Sequence, residues 1–365
     1  MKSKQAFHLA ALAECPGLGS HRLRLLLEHY SKAETIWRLP AAELAQQVPM
    51  PRKLCEAVDA FRHEHPSRPA ELFELCASRH IHLCTIEDEL YPNILKEIFS
   101  PPVVLYYRGT LLPDALRIAM VGARRMSRYG EALALEFGRK LAEAGMTVVS
   151  GAARGIDTCA HRGVLDAEGR TVAVLGCGVD VAYPRENRRL LSAIAERGAV
   201  LSEYSPGTPP LPAFFPARNR IISGLAQGTL VVEAARRSGS LITAEQAVSE
   251  GRDVYAIPGS VCSPTSEGCH HLIQQGAKLV IRPADILEDC GFPPVATRRK
   301  NVRMTPEERQ IYQVLSFDHA LSMDEIILSL PAGELSNLSF MLLNMELKGL
   351  IVENELHAYR RAERE

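Results

Sequence analysis

The chain has 365 residues, of which 46% are hydrophobic, and its formal net charge is −1. This length allows two or three domains, each with a full-size core. A charge so close to zero argues against a surface that is basic throughout, as in many nucleic-acid-binding proteins, but it permits a local basic groove. No apolar run reaches the roughly 18 residues that span a bilayer, so the sequence predicts no membrane partner.

Residues 1–66 are predicted to form a small helical domain. The stretch CPGLGSHRLRLLLEHY places a Pro-Gly-Leu-Gly turn before an amphipathic helix. That is the first half of a helix-hairpin-helix pattern, in which backbone N–H groups at a helix start can meet a phosphate. The second glycine hairpin is absent from VPMPRKLCEAV, so packing is favoured over DNA contact for this domain. HEHPSRP predicts an exposed boundary after it.

Residues 70–290 alternate short β-branched runs with helical segments. Strands that are apolar throughout and separated by helices indicate a parallel sheet covered on both faces. The sequence therefore predicts an α/β domain with a Rossmann-like, doubly wound, mainly parallel sheet. A strand with turns is expected to lead into it, around ELYPNILKEIFSPPVVLYYRG. The other predicted strands lie at residues 117–123, 146–151, 170–178, 199–204, 228–234, 253–259 and 277–281.

Residues 300–365 predict a third domain, which follows the basic linker TRRKNVRM. Thr305 is expected to cap a helix, with Pro306 at its first position and Glu308 three residues after the cap. Two further helices and a short β-hairpin resemble a winged helix of the DNA-binding type. Its recognition helix would offer Asn337 and Asn344 to bases but no arginine. Protein docking or packing is therefore favoured over DNA contact.

Five loops at one edge of the predicted sheet carry polar groups suited to an anion. Ligands of open α/β sheets bind beyond the carboxyl ends of the strands, where helix N-termini and guanidinium groups favour phosphate. Together the five loops predict a site for a polyanion. The candidate residues are Gly122, Arg124, Ser127, Gly151, Arg154, Arg185, Arg218, Asn219, Arg220, Gly239, Ser240 and Thr243.

The motifs of common nucleotide and catalytic sites are missing. VGARRMSRYG lacks the G-x-G-x-x-G spacing of dinucleotide-binding loops, and the chain contains no GxxxxGK[ST]. No G-x-S-x-G nucleophile elbow occurs. The sequence therefore predicts neither a bound cofactor nor a catalytic residue.

Three titratable residues near the predicted site allow both a chemical and a structural interpretation. Asp157 and His161 lie four residues apart on one helix and would suit an acid–base pair, but capping by the aspartate and packing by the histidine are favoured. Glu233 ends a strand at the same edge. It would serve either as a general base or, as we favour, as the ion-pair partner of Arg218 or Arg220.

The nine cysteines are scattered, odd in number and free of CxxC pairs. This usage predicts reduced thiols in a cytoplasmic protein. Only Cys262, Cys269, His270 and His271 are spaced like metal ligands, and adjacent histidines on a helix point about 100° apart. We therefore predict no metal site.

The ordered motifs of residues 90–282 resemble the bacterial DNA-processing protein A family, also called DprA or Smf. They are VGARRMSRYG, SGAARGIDTCAHRG, VAVLGCGVDVAYPREN, LSEYSPGTPPLPAFFPARNRIISGL, VVEAARRSGSLITAEQA, EGRDVYAIPGS and EGCHHLIQQGAKLV. The flanking parts resemble, more weakly, that family's sterile-alpha-motif-like and winged-helix domains. The resemblance implies a protein that binds single-stranded DNA, forms a homodimer and loads the RecA recombinase during natural transformation, without being an enzyme.

The resemblance also implies roles for particular residues. The family's G-S-R-x-x-S loop falls on Gly122 to Ser127, where Arg124 would grip a phosphate and Ala123 replaces the usual serine. Arg185 falls on the family's basic position after Tyr-Pro. Independently of the resemblance, Phe214 or Phe215 would offer a face to a base, although packing of both in the core is favoured. The segment EGCHHLIQQGAKLV falls on the family's dimer contact.

An enzyme related to the nucleoside-monophosphate phosphoribohydrolases is the alternative. Such enzymes also combine a glycine-rich sheet edge with a glutamate at a strand end. Their P-G-G-x-G-T-x-x-E segment is replaced here by QGTLVVEA, which lacks the double glycine and the glutamate spacing. The binding protein is therefore favoured.

Overall fold

The computed structural model describes residues 4–292, 304–317, 319–330, 337–354 and 357–362. The chain divides into two compact units, Met1–Val295 and Ala296–Glu365. The prediction of three domains, at 1–66, 70–290 and 300–365, stays a prediction. None of the helices in the described ranges has both the length and the apolar character needed to cross a bilayer.

The first unit begins with six helices. In the second of them, Leu23, Leu26 and Leu27 are buried at the three- and four-residue spacing that puts side chains on one helix face. The turn before it uses Gly17 and Gly19, both with positive φ, which glycine adopts without strain. The six helices are α1 (Lys4–Ala13), α2 (Gly19–Tyr30), α3 (Ala33–Arg38), α4 (Ala41–Gln47), α5 (Arg52–Glu64) and α6 (Arg68–Ser78).

A nine-stranded sheet forms the centre of this unit, in the order β1-β2-β6-β5-β4-β3-β7-β8-β9. Strands β3 to β9 run parallel, while β2 pairs antiparallel with both β1 and β6. The strands are β1 (His82–Thr85), β2 (Val104–Gly109), β3 (Arg117–Val121), β4 (Thr147–Ser150), β5 (Thr171–Val174), β6 (Ala199–Ser202), β7 (Gly228–Val231), β8 (Asp253–Ala256) and β9 (Lys278–Leu279).

Helices cover both faces of the sheet. Ile118 of β3 shares one core cluster with Phe137, while its neighbour Ala119 shares another with Ile221, because successive side chains of a strand point to opposite faces. The predicted α/β class with a mainly parallel sheet is confirmed. The helices are α7 (Asn93–Lys96), α8 (Arg128–Glu143), α9 (Ile156–Asp166), α10 (Arg188–Arg197), α11 (Phe214–Gly224), α12 (Gly239–Ser249), α13 (Glu267–Gln274) and α14 (Ala284–Asp289).

The order of the strands reverses beside β3. From β3 the chain proceeds outward through β4, β5 and β6 on one side, and then returns to place β7, β8 and β9 on the other. In open α/β sheets, the crevice beyond the carboxyl ends of the strands at such a reversal is where ligands bind. The loops that follow β3 and β7 meet there.

The described residues of the second unit form three helices and a three-stranded antiparallel sheet in the order β10-β12-β11. The predicted cap of its first helix is confirmed, because Thr305 and Glu308 form a reciprocal capping box. Most of the predicted basic linker and part of the hairpin lie outside the described residues, and the winged-helix assignment stays a prediction. The elements are α15 (Pro306–Val314), β10 (Leu321–Ser322), α16 (Met323–Ser329), α17 (Leu338–Leu347), β11 (Ile351–Glu353) and β12 (Ala358–Arg361).

Candidate functional site

A cavity of about 660 Å³ opens at the strand-order reversal, between the loops that follow β3 and β7. Helix α11 and the loops after β4 and β5 complete its wall. A pocket of about 30 Å³ adjoins it at the ends of β4 and β5 and shares Arg124, Phe215 and Arg218 with it. Most of the predicted site residues line one or both spaces: Gly122, Arg124, Gly151, Arg154, Phe215, Arg218, Asn219, Gly239, Ser240 and Thr243.

Arg124 lies exposed at the mouth of the cavity, on the loop after β3. Its guanidinium carbon is 5.9 Å from the ring centre of Phe215, within the range of a cation–π contact. The Phe215 ring centre is in turn 5.3 Å from that of Tyr183. Within the described part of the chain, no carboxylate forms an ion pair with Arg124. A free cation and two partly exposed rings therefore stand side by side.

The start of α8 is closed by groups of the chain itself. The backbone N–H of Ser127 donates to Glu233 Oε2 at 2.9 Å, and the Ser127 hydroxyl accepts from Gly130 N at 3.1 Å. Ser127 lines neither the cavity nor the adjoining pocket. The favoured role of Glu233 was wrong: its carboxylate holds the Ser127 loop rather than Arg218 or Arg220, whose hydrogen-bond partners are other groups.

Arg218 lies beneath the cavity and is only 4% exposed. Its Nη1 donates to Gly151 O at 2.8 Å and to Val174 O, so one guanidinium joins the ends of β4 and β5. Its Nε donates to Asn219 Oδ1 at 3.2 Å. Burial lowers the pKa of Arg218, and the nearby Asp157 opposes that shift. A Cβ on Gly151 would lie 2.7 Å from the guanidinium nitrogens, so glycine makes room for the arginine.

Asp157 and His161 have separate structural partners. Asp157 Oδ2 accepts from the backbone N–H groups of Gly151 and Ala153, at 3.2 and 3.3 Å, and burial raises the pKa of this carboxyl although Arg218 opposes it. His161 Nδ1 is 2.7 Å from Thr171 Oγ1, and burial lowers the pKa of the imidazole to about 3. The histidine is therefore neutral and packs in the core, as favoured. The favoured capping role of Asp157 was wrong: α9 has Gly155 as its N-cap, without a side-chain cap, and Asp157 holds the loop before the helix instead.

The remaining predicted cations differ in their surroundings. Arg220 forms an ion pair with Glu203, and both side chains are less than a fifth exposed, away from the cavity. Arg154 forms an exposed ion pair with Glu186. Arg185 is exposed on a short 3₁₀ turn, and it forms no ion pair within the described ranges.

On the opposite wall, α12 begins at the cavity. Ser238 is its N-cap and accepts from Ser240 N at 3.4 Å, which sets Ser240 and Thr243 against the cavity. Phe214 stacks instead on Tyr204, with ring centres 4.1 Å apart, and lines neither space. The two phenylalanines of one motif thus occupy different places.

Sequence reasoning missed several residues that line the cavity, among them Arg125, Tyr183 and Ile242. Two of these three had a signal. Arg125 follows Arg124 directly, and Tyr183 stands two residues before Arg185 in the same motif. Ile242 gave none, because an isoleucine in a helix is usually assigned to the core.

The four residues with metal-like spacing are not gathered around one point. Cys262 is exposed, whereas Cys269 is buried, with its Sγ donating to Val231 O at 3.6 Å. His270 Nε2 lies 3.0 Å from Gly259 O. Across the described ranges, no three His, Cys, Asp or Glu side chains are grouped so as to hold a metal ion.

Comparison with known proteins gives a family match over the α/β domain. The model of the family described as DNA recombination-mediator protein A matches residues 82–291. DNA processing protein DprA of Streptococcus pneumoniae is 51% identical over 57% of this chain and 74% of its own length. Protein Smf of Synechocystis is 36% identical over 85% and 78%, respectively.

Two solved structures are similar in fold. The X-ray structure of DprA from Streptococcus pneumoniae has a TM-score of 0.70 and 40% identity, and the match covers 79% of this chain and 99% of that one. DNA processing protein A from Helicobacter pylori has a TM-score of 0.53 and 28% identity, over 58% and 96%. The latter structure is described as giving insight into a single-stranded DNA binding mode.

Proposed function

Because the chain belongs to the DNA recombination-mediator protein A family, we propose that it binds single-stranded DNA at the cavity between β3 and β7. The observation that carries this proposal is the placement of Arg124. Its guanidinium forms no ion pair with any residue that the structure describes, and it stands at the cavity mouth over the ring of Phe215. Cations that meet phosphates and rings that stack on bases are what sequence-independent single-strand binding requires. The single-stranded DNA binding of the Helicobacter pylori relative supports it further.

In this proposal the site residues fall into four groups. Arg124, Arg154 and Arg185 contact phosphates from the exposed side, and Phe215 with Tyr183 offers faces to bases. Ser127 and Arg220 contribute indirectly, by holding the loops that carry the others. The groups beneath and beside the strand shape the cavity: Gly122, Gly151, Arg218, Asn219, Gly239, Ser240 and Thr243.

We further propose that the protein acts in the cytoplasm as a homodimer that hands its DNA to RecA during recombination or natural transformation. The family's description as a recombination mediator supports the transfer step. The dimer contact is proposed for the segment that contains α13 and β9. There Leu279 and Ile281 are 47% and 70% exposed at the edge of the sheet.

The proposal is tested by fluorescence anisotropy with a labelled oligothymidine. We expect Arg124→Ala and Arg185→Ala each to weaken binding by about 1–3 kcal/mol, the scale of a charged hydrogen bond. Each should also reduce the salt slope by about 0.7, the value for one phosphate contact on a single strand. The melting temperature should not change, because both side chains are exposed.

Arg139→Ala is the matched control. Arg139 lies near the other end of α8, with its side chain 42% exposed and 3.9 Å from Glu143. The substitution Arg139→Ala removes the same charge far from the cavity and should leave the affinity for oligothymidine unchanged. Full affinity in both Arg124→Ala and Arg185→Ala, or an equal loss of affinity in Arg139→Ala, would contradict the proposed site.

Within this proposal no catalytic step is assigned. Glu233, the glutamate on which the phosphoribohydrolase alternative depended, is 3% exposed and engaged with the Ser127 loop. Incubation with AMP tests this directly. Release of adenine by the wild-type protein, lost in Glu233→Gln, would favour the enzyme.

A further inference from the structure

The helix that follows β3 occupies a special place in the sheet. The strands on the two sides of β3, in the order β5-β4-β3-β7-β8-β9, follow the order of dinucleotide-binding sheets. In this order β3 takes the place of the first strand, and α8 is the helix that follows it. In those sheets the N-terminus of this helix holds the ligand's pyrophosphate, because its free N–H groups and dipole favour an anion. Here the corresponding anion is the carboxylate of Glu233, at the end of β7.

Two hydrogen bonds hold Glu233 against the loop before α8. Its Oε2 accepts from Ser127 N at 2.9 Å, and its backbone oxygen accepts from Ala123 N at 2.7 Å. The residue is 3% exposed, so the carboxylate is closed off from solvent. The Glu233 carboxylate therefore occupies the space at the start of α8.

Two glycines make this approach of Glu233 sterically feasible. A Cβ on Gly130 would collide with Glu233 Oε2, and a Cβ on Gly122 would come within 2.9 Å of the Glu233 backbone oxygen. In dinucleotide-binding loops, glycines let the backbone approach the ligand. At this helix start they let the backbone approach a side chain of the same protein.

We infer that Glu233 is a built-in anion that occupies the phosphate position of α8 and excludes free phosphate and nucleotide phosphates from it. A second anion would meet a like charge in a buried site, which is strongly unfavourable. Glu233 is thus a specificity-determining residue: it withdraws the start of α8 from ligand anions, which the exposed cations can still contact from outside.

This inference does not rest on the proposed function, since its test contains no DNA. Thermal unfolding is measured for the wild-type protein and Glu233→Ala, in sodium phosphate and in sodium chloride of equal ionic strength. Removing the carboxylate opens the helix start to a ligand anion. We expect phosphate to raise the Tm of Glu233→Ala by on the order of 3 °C more than that of the wild type.

Glu131→Ala is the matched control, because Glu131 lies exposed in the first turn of the same helix. It removes the same charge without opening the Ser127 position, so its response to phosphate should equal that of the wild type. An equal phosphate response in all three proteins would overturn the inference. So would a response of Glu131→Ala as large as that of Glu233→Ala.

If Glu233→Ala fails to fold in either buffer, Glu233→Gln decides. The amide keeps an oxygen that accepts from Ser127 N but carries no charge. A Tm lower than that of Glu131→Gln would support the role of Glu233 as an anion. A Tm equal to that of the wild type would show that the charge is not needed, and would overturn the inference.

Discussion

Two regions of this molecule use the same kind of side chain in opposite ways. Arg124, at the mouth of the cavity, and Arg185, on the 3₁₀ turn Arg185–Asn187, are exposed and have no carboxylate partner in the described ranges. Beneath the cavity, Arg218 is 4% exposed and bound to the carbonyl ends of two strands. In the sequence, the exposed and the buried arginines look alike, because each stands next to a predicted helix start. The difference teaches that burial and partners, rather than residue type, separate arginines that are available to a ligand from arginines that hold the site.

The comparison predicts that buried polar groups affect stability and exposed ones affect binding. The largest effect is expected for Arg218→Ala, which leaves two buried carbonyls without their donor and Asp157 without the adjacent cation. Breaking buried charged networks costs about 3–5 kcal/mol. Urea denaturation followed by circular dichroism should show a loss of this size. A loss below about 1 kcal/mol would place Arg218 in the same class as the exposed arginines.

Gly151→Ala sharpens this result. The added Cβ would lie 2.7 Å from the Arg218 guanidinium, so the variant should be destabilised only while the arginine is present. In a double-mutant cycle we therefore expect the second substitution to add little to Arg218→Ala, a clear departure from additivity. Additive free energies would show that the two residues act separately.

A smaller effect concerns His161, also in the buried layer. The pKa of its imidazole is about 3, against 6.5 for an unperturbed histidine. Between these values the unfolded chain binds a proton that the folded protein does not, so stability falls as the pH falls. From pH 6.5 to about pH 4, this one group accounts for a loss of about 3 kcal/mol.

His161→Asn tests the assignment, because an asparagine amide can still donate to Thr171 Oγ1 but does not titrate. The free energy of unfolding should be measured by denaturant titration at several pH values in this range. The variant should lose less stability on acidification than the wild type. Parallel pH profiles for the two proteins would assign the acid sensitivity to other groups.

Much of the fold could be predicted because its signal is local. Continuous apolar runs such as 117–123 and 228–234 marked buried parallel strands, and the structure has β3 and β7 there. The pairing of β2, antiparallel to both β1 and β6, could not be read, since one short apolar run does not specify its neighbours.

The site was predictable as a set of loops, but not in its internal connections. Arg124 and Phe215 were found from motifs, and they meet at the cavity. The contact between Ser127 and Glu233 joins residues 106 positions apart, and no local pattern reports which donor such a carboxylate will reach. The same limitation applies to Arg220, whose partner Glu203 lies 17 positions earlier in the chain.

The smallest effect is expected at the ion pair of Arg154 and Glu186. This pair is exposed, like Arg124, but its arginine has a carboxylate partner. Glu186 partly neutralises a cation that would otherwise face phosphate. Glu186→Gln should therefore raise affinity for oligothymidine roughly twofold, and Arg154→Ala should lower it by less than Arg124→Ala does. Anisotropy titrations at low salt would resolve both changes, since screening weakens exposed charges. If Glu186→Gln instead lowered affinity, the ion pair would be needed to position Arg154. Glu186 would then be an exposed residue that holds the site in place.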